Sequence, residues 1–554
     1  MTDLTTTTQR IAGGWSDLQE KRRMVVKLGG KQIAMFLSRK GTVYACANRC
    51  PHEGFPLVEG SLDDECILTC NWHNWKFDLD SGATLVGGDT LRRYPVKVDG
   101  NDLVLDLSDP PPEVLIEKAL TNLQESFPRH EYDRMAREIA RLQQAGGDPL
   151  EALRQAVWWT HDHMEFGMTH AYAVAPDWLE LRQHHAKGDA GLELVGLVEP
   201  VAHMAWDTQR EPTYPYANHT LPFAPEALAQ ALENEDEDTA IALIRGGLQQ
   251  ELRFPDFEET LTRAALSHYQ DFGHSLIYVR KVGQLLEWLG DDVLEPLLLS
   301  LIRSLTYASR EDLIPEFRNY RPTLETWDGQ GSQAITSEDL TGLSVKQALE
   351  RVRPSSADPE AAFHALLGAL AWNMAHFDLA IQNHTDRSVS HNHSWLGFTH
   401  GLTFANAVRA QCPKYPDLWP QGLLQLACFL GRHTRYVDPE LDLSEWRVEN
   451  PAAFFQQEFV HLFDHEQSEY IVACHFVKTL TAAHEEFRIF PEAPWVPMLL
   501  TAMNRFLHSP FKGKHVLRTA PPIAEHGRGG RLTHFQKRLS SVSVCLGELR
   551  SVMR

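Results

Sequence analysis

Four metal-binding side chains lie in two short stretches near the N-terminus, and this feature constrains the chain most. Cys50 and His52 stand one residue apart, and Cys70 and His73 stand two residues apart. Thiolates and imidazoles together suit zinc or an iron–sulfur centre. Zinc sites usually pair their ligands as Cys-x-x-Cys and His-x-x-x-His. Here each stretch supplies one Cys and one His, which favours a [2Fe-2S] cluster with both Cys on one iron and both His on the other.

The residues around these ligands resemble a known family. Residues 48–57 read Asn-Arg-Cys-Pro-His-Glu-Gly-Phe-Pro-Leu, and residues 70–82 read Cys-Asn-Trp-His-Asn-Trp-Lys-Phe-Asp-Leu-Asp-Ser-Gly. Both stretches resemble the cluster loops of Rieske ferredoxins and of oxygenase Rieske domains. The resemblance implies a Rieske 2Fe-2S cluster in the N-terminal part of the chain. Neither loop has the additional cysteine of respiratory-complex Rieske proteins, which implies the low-potential type.

Composition limits the partners and the compartment. The net charge of −22 argues against nucleic acid, because the phosphate backbone requires clustered Lys and Arg. The eight Cys are typical of a reduced, cytoplasmic protein rather than a disulfide framework. The N-terminus shows no basic start followed by an apolar run, so we expect no secretory signal. We find no apolar run of about eighteen residues and therefore expect no membrane span.

The chain changes character after a run of three prolines. Short β patterns separated by glycine turns predict a small all-β Rieske domain over 1–109. The prolines form a stiff linker at 110–113. Apolar residues at helical spacing, with long runs at 149–172, 258–289 and 359–382, then predict a large all-α, His-rich domain over 114–508. A basic C-terminal tail follows at 509–554.

The helical part is rich in histidine, and two of its segments match in register. Residues 161–170 and 391–400 both read His, Asp or Asn, His, three residues, Gly, one residue, Thr, His. The match favours two pseudo-repeated halves, with chance similarity as the alternative. Seven residues is about two helical turns, so we expect each of two His pairs to share a helical face. These predicted metal ligands are His163, His170, His393 and His400.

Other polar side chains in apolar helices form a second group of candidates. Asp271 with His274, and Glu458 with His461, have the carboxylate-x-x-His spacing of bundle di-iron proteins. The alternative for each single His is a hydrogen-bonded structural role, or packing in an α-solenoid. The catalytic candidates are Glu165, His274 and His376, with His475 as a further second-choice ligand.

A known catalytic domain does not explain the helical part. Oxygenases with a Rieske domain usually continue into an α/β domain with a motif close to Asp-x-x-His-x-x-x-x-His, and we find no such motif. Residues 272–278 (Phe-Gly-His-Ser-Leu-Ile-Tyr) and 399–403 (Thr-His-Gly-Leu-Thr) resemble the questin oxidase-like family in their general residue pattern, without a shared motif. The activity implied by that resemblance is oxidative cleavage of aromatic polyketides. This resemblance does not identify any catalytic residue in the chain.

We therefore predict an oxidoreductase, an oxygenase or oxidase of a small organic substrate. Its cluster passes electrons to a His-lined non-haem iron site, mono- or dinuclear, in the helical domain. A b-type haem between two His is a less favoured cofactor. A separate NAD(P)H-dependent reductase or ferredoxin supplies the electrons. The sequence is also compatible with a homo-oligomer. The alternatives are a metal-free questin oxidase-like enzyme with a Rieske electron donor, and a Rieske redox sensor with a helical interaction scaffold.

Overall fold

The computed structural model describes residues 9–209, 211–385, 393–511 and 520, with only the backbone at 271 and 272. The chain divides into two compact units, Met1–Lys118 and Ala119–Arg554. The domain limits drawn from the proline run stay a prediction. The basic tail beyond 511 lies outside the described residues, apart from residue 520.

The first unit consists of short antiparallel strands, as the sequence predicts. The elements in chain order are β1 Gln9–Gly14, α1 Trp15–Lys21, β2 Arg23–Leu28, β3 Lys31–Leu37, β4 Val43–Ala47, β5 Ser61–Leu62, β6 Ile67–Thr69, β7 Lys76–Asp78, β8 Thr84–Val86, β9 Val96–Asp99 and β10 Asp102–Asp106. They form three sheets, with strand orders β1-β10-β9, β2-β3-β4 and β5-β6-β7-β8. The two- and three-residue strands β5, β7 and β8 are too short to give a recognisable alternation in sequence.

Strand β3 joins the two cores of this unit. Its side chains alternate between the two faces of the sheet, as they do in any strand. Ala34 and Phe36 enter one core together with Phe77, and Ile33 and Met35 enter the other. The first of these cores also contains the cysteines of both motif loops. The sheets therefore hold the two loops on a common apolar base.

The second unit is helical, which confirms the predicted class, and its first helix begins within the last seven residues of the first unit. Its helices are α2 Pro112–Ser126, α3 Tyr132–Gln144, α4 Glu151–Thr160, α5 His170–His185, α6 Ala190–Thr208, α7 Pro225–Glu233, α8 Glu237–Gln249, α9 Phe254–Ser267, α10 Gln270–Leu289, α11 Leu294–Thr306, α12 Tyr320–Glu325, α13 Val345–Val352, α14 Pro359–Ala375, α15 Trp395–Gln411, α16 Trp419–His433, α17 Pro451–His461, α18 Tyr470–Ile489 and α19 Val496–His508. Within the described residues, no helix is long and apolar enough to cross a membrane.

Four helices form the centre of this unit. Helix α5 packs against α10, α10 against α15, α15 against α18, and α18 against α5. The first two turns of α5 and most of α15 are buried on every side. A helix that is apolar all round belongs in the interior of a large domain. Polar side chains in the first two turns of α5 and in most of α15 therefore face other protein atoms rather than water.

Two predicted long helices are broken in the structure. The helical pattern at 149–172 spans α4, a turn and α5, because Gly167 lies so close to the Ser300 backbone that a Cβ there would overlap it. The pattern at 258–289 likewise covers α9 and α10. Helix α14 ends at Ala375, so the predicted continuation to 382 is wrong.

The matched segments do not have matched conformations. His163 lies in the turn before α5, and His393 precedes α15, so the expectation that each pair shares a helical face is wrong. Thr169 caps α5 by accepting a hydrogen bond from the Ala171 amide. Thr399 lies inside α15 and donates to the Leu396 carbonyl. The shared letters therefore specify different local structures, and residues 391 and 392 of the second segment lie outside the described residues.

The start of α10 depends on a glycine, and this can be tested. Gly273 has φ +87°, and a Cβ there would overlap the Phe404 ring on α15. We expect Gly273→Ala to lower the free energy of unfolding by about 1–2 kcal/mol through backbone strain and about 1–3 kcal/mol through overpacking. Gly290→Ala is the matched control. Gly290 has φ +80° and no described atom within 4 Å of such a Cβ, so this substitution introduces backbone strain without overpacking. Equal losses in calorimetry of the two variants would contradict this packing.

Candidate metal centres

Two equivalent loops carry the N-terminal ligand candidates. The amides of Cys50 and Cys70 each donate a hydrogen bond to the carbonyl five residues later, at 2.8 Å in both loops. The amides of Gly54 and Asn74 donate back to the carbonyls of Cys50 and Cys70, at 2.8 and 3.0 Å. The same tight turn therefore closes both loops, and each turn presents a Cys and a His from one side.

The donors of the two loops differ in exposure. The thiols of Cys50 and Cys70 are buried, whereas the side chains of His52 and His73 are 31% and 41% exposed. The two imidazole rings meet edge to face, with their centroids 4.7 Å apart. Burial, and to a smaller extent the neighbouring Cys70, raise the pKa of the Cys50 thiol to about 11. Two adjacent buried thiols become thiolates only beside a strong positive charge, such as a metal centre.

Aromatic side chains frame this site. Trp75 stacks on His52, with ring centroids 4.8 Å apart, and Trp72 stacks on Phe55 at 4.2 Å. Trp72 remains 59% exposed. The donor set thus has two buried sulfurs and two imidazoles near solvent. This fits a cluster in which one iron is bound by cysteines and the other by solvent-exposed histidines.

Comparison with known proteins decides the nature of this unit. Residues 11–95 match the model of the family described as Rieske [2Fe-2S] domain. The N-terminal unit belongs to the Rieske family. Over 82 residues the chain is 37% identical to the 3-phenylpropionate/cinnamic acid dioxygenase ferredoxin subunit of Escherichia coli, covering 14% of this chain and 76% of that protein.

Two further similarities belong to oxygenase systems. The chain is 33% identical over 111 residues to the 4beta-methylsterol monooxygenase of Methylococcus capsulatus, but this match covers 18% of the chain and only 29% of that relative. The ferredoxin of carbazole 1,9a-dioxygenase from Nocardioides aromaticivorans is 22% identical, with a TM-score of 0.17, and the match covers 18% of this chain and 98% of that one. The Rieske unit is thus similar in sequence to a dioxygenase ferredoxin subunit and to part of a monooxygenase.

A second group of donors lies at the centre of the helical unit. Helices α5, α10, α15 and α18 each contribute one imidazole, and together these form the four-histidine cluster: His170, His274, His400 and His475. The Nε2 atoms of His274 and His400 are 2.9 Å apart. The distances from His274 to His170 and from His400 to His475 are both 3.3 Å between Nε2 atoms. The structure therefore brings two first-choice ligands together with two second-choice candidates.

The backbone fixes the orientation of three of these rings. The Nδ1 atoms of His274, His400 and His475 each lie 2.6–3.2 Å from the carbonyl oxygen four residues earlier in the same helix. A carbonyl oxygen only accepts, so each Nδ1 must carry the proton and donate. In the neutral ring, Nε2 then has a lone pair that points at the other imidazoles. This tautomer is the one that metal-binding histidines adopt when a second interaction orients the ring.

Burial keeps these imidazoles neutral. The pKa values of His170, His400 and His475 lie well below the usual range for histidine, first because the rings are buried and then because Lys478 is charged nearby. Lys478 is itself buried and follows His475 by about one turn of α18. Neutral lone pairs that face one another repel unless a proton or a cation lies between them. His170, His400 and His475 therefore favour the neutral state that metal binding requires.

The nitrogen separations fit ligands of one metal ion. Two imidazole nitrogens about 2.1 Å from a metal are about 3.0 Å apart when they stand at right angles and about 3.4 Å apart at tetrahedral angles. The two observed separations of 3.3 Å lie in this range, and the separation of 2.9 Å between His274 and His400 is just below it. The two axial ligands of a haem iron would be about 4 Å apart, so the cluster suits a bare ion better than a b-type haem. His170, His400 and His475 also place their ligand atoms within 4.8 Å of one another.

Several predicted site residues lie elsewhere. His163 bonds to Asp162 at 2.8 Å, and His393 lies against Tyr436 with ring centroids 3.6 Å apart. Glu165 is exposed, and His376 stacks on Trp372 just after the end of α14. The contacts of His163 and His393 are with residues outside the four-histidine cluster, and their assignment as metal ligands stays a prediction.

Lys478, whose charge lies near the cluster, is not part of any motif in the sequence. It stands in a run of apolar residues in α18, three positions after His475. A lone charged residue in such a run is the feature that could have identified it, since a fully buried lysine requires a compensating environment.

The Rieske assignment leads to a direct test. We expect Cys70→Ala to remove both irons of the cluster and its visible absorption, because one iron loses a thiolate ligand. Cys46→Ala is the matched control, since Cys46 is equally buried in the same core. Iron analysis of both purified variants checks the expectation. A normal iron content in Cys70→Ala, or a loss of iron in Cys46→Ala, would contradict the ligand assignment.

Proposed function

We propose that this chain is a Rieske-dependent oxygenase or oxidase of a small organic substrate. In this proposal the four-histidine cluster holds a second, redox-active metal that receives electrons from the Rieske cluster. The observation that carries it is the convergence of four imidazole Nε2 atoms in the core of a chain that also has a Rieske domain. The ligands of both sites are part of the proposal.

The donor chemistry supports iron. An all-imidazole site suits zinc, copper, iron or nickel. A Rieske cluster transfers single electrons. Zinc does not change its oxidation state in proteins, so a redox-active metal is the consistent partner. Bound iron would supply activation of dioxygen. The relative from Escherichia coli is the ferredoxin subunit of a dioxygenase, which supports a separate NAD(P)H-dependent reductase or ferredoxin as the electron donor.

The protein's own residues would perform the remaining tasks. The carbonyls that accept from Nδ1 hold three rings in place before any ligand arrives. The four surrounding helices exclude bulk water from the centre, which strengthens every electrostatic interaction there. The buried ammonium of Lys478 would stabilise an anionic oxygen of a substrate at this site. These are positioning and electrostatic contributions that need no movement of the fold.

Metal analysis of paired variants tests the proposal. We expect more than two metal atoms per chain in anaerobically purified protein, and we expect His400→Ala and His170→Ala to lose the additional metal while keeping the Rieske signal in the EPR spectrum. His163→Ala and His393→Ala are matched controls from the same sequence segments and should retain both. The reason is that only the first pair belongs to the four-histidine cluster.

Each other outcome has a defined meaning. Two irons per chain with only the Rieske signal would refute the second metal and favour a metal-free enzyme. Loss of the additional metal in His163→Ala or His393→Ala would refute the ligand set. A change in affinity for another protein on cluster reduction, without substrate turnover, would favour the redox sensor.

A further inference from the structure

The side chain of Glu53 lies against both histidines of the Rieske loops. Its Oε1 atom is 3.9 Å from Nε2 of His52, and its Oε2 atom is 3.7 Å from Nε2 of His73. One ligand atom from each of these three residues lies within 4.8 Å of the other two. A single carboxylate therefore reaches the same ring nitrogen of both histidine ligand candidates.

The loop backbone explains why Glu53 is placed there. The two turns are closed by the same hydrogen bonds, and Gly54 and Asn74 occupy equivalent positions with φ +78° and +59°. Glu53 stands directly before Gly54, just as His73 stands directly before Asn74. Glu53 thus has, in the first turn, the position that a ligand candidate has in the second turn. Its location at the histidine edge follows from the turn itself.

The nitrogens that face Glu53 are the outer ones. Nδ1 of His52 is buried, whereas the imidazole as a whole is partly exposed and turns its Nε2 atom toward Glu53. A histidine that binds a metal through one nitrogen carries a proton on the other, and a carboxylate is a common partner for that N–H group. Such a partner orients the ring and makes the ligand nitrogen a stronger electron donor.

The negative charge of Glu53 is not neutralised by a cationic side chain. The side chain is 52% exposed, and among the described residues it forms no ion pair with a lysine or an arginine. Its distances to the two imidazoles exceed those of a hydrogen bond, so its effect is mainly that of a nearby charge. A negative charge a few ångströms from a metal centre opposes the addition of an electron, although solvent weakens the effect.

We propose that Glu53 lowers the reduction potential of the Rieske cluster by holding its carboxylate against the outer nitrogens of both histidine ligands. Net charge, outer partners of the ligands and exposure set the potentials of iron–sulfur clusters. Glu53 acts through the imidazoles and is therefore a positioning residue, not a ligand. The proposal goes beyond the oxygenase function, because it concerns the Rieske unit alone and does not depend on a metal at the four-histidine cluster.

A redox titration of the full chain, followed by the EPR signal of the reduced Rieske cluster, tests the proposal. We expect Glu53→Gln to make the potential less negative, so that the equilibrium constant for reduction by a given donor rises by about tenfold. Glu53→Asp keeps the charge and should stay closer to the unaltered chain. Glu20→Gln is the matched control, because Glu20 is an exposed residue of α1, and α1 packs on the core without the cluster cysteines. It removes the same charge from the same unit and should leave the potential unchanged.

Iron content and the shape of the EPR signal separate an effect on the potential from loss of a ligand. We expect both to stay normal in Glu53→Gln and in a second charge-removing variant, Glu53→Ala. The proposal is overturned if Glu53→Gln leaves the potential unchanged or makes it more negative, or if Glu20→Gln shifts it equally. Loss of iron in both charge-removing variants would also overturn it, because Glu53 would then be required for assembly of the cluster.

Discussion

Four imidazole nitrogens that point at one another in a dry helical core are the interaction on which the helical unit depends. Each ring has lost its contact with water, and in three of them the only proton is committed to a backbone carbonyl. Without a positive charge between them, the lone pairs repel at separations of 2.9 and 3.3 Å. In the proposed function, a metal ion would resolve this conflict and would crosslink four helices that are far apart in sequence. Metal binding would then also stabilise the core.

Close packing around the cluster occurs where helices α5 and α10 begin. Gly167 allows the chain to pass against the Ser300 backbone, and α5 can then start at His170. Gly273 allows α10 to approach Phe404 on α15, next to the position of His274. In both places a close backbone approach occurs within a few residues of a cluster imidazole. Ring positions in the cluster thus follow from where helices can come together.

The two candidate metal centres are built differently. The Rieske loops are short, alike and supported by one small core, so all four donors come from a segment of 24 residues between Cys50 and His73. The helical site draws one donor from each of four helices between His170 and His475. The first design leaves a histidine edge exposed for electron exchange, whereas the second encloses its centre.

The sequence by itself determined the Rieske unit, the helical class of the remainder and the presence of histidines in apolar helices. Its ligand spacing was informative because the turn from Cys50 to Phe55 and the turn from Cys70 to Trp75 are closed by local hydrogen bonds. The spacing of histidines along the sequence did not predict which of them meet in the helical site. His163 and His170 look like partners in sequence, yet the chain turns at Gly167 between them. Only the tertiary structure decided which imidazoles meet, because contacts between separate helices depend on packing rather than on the distance along the chain.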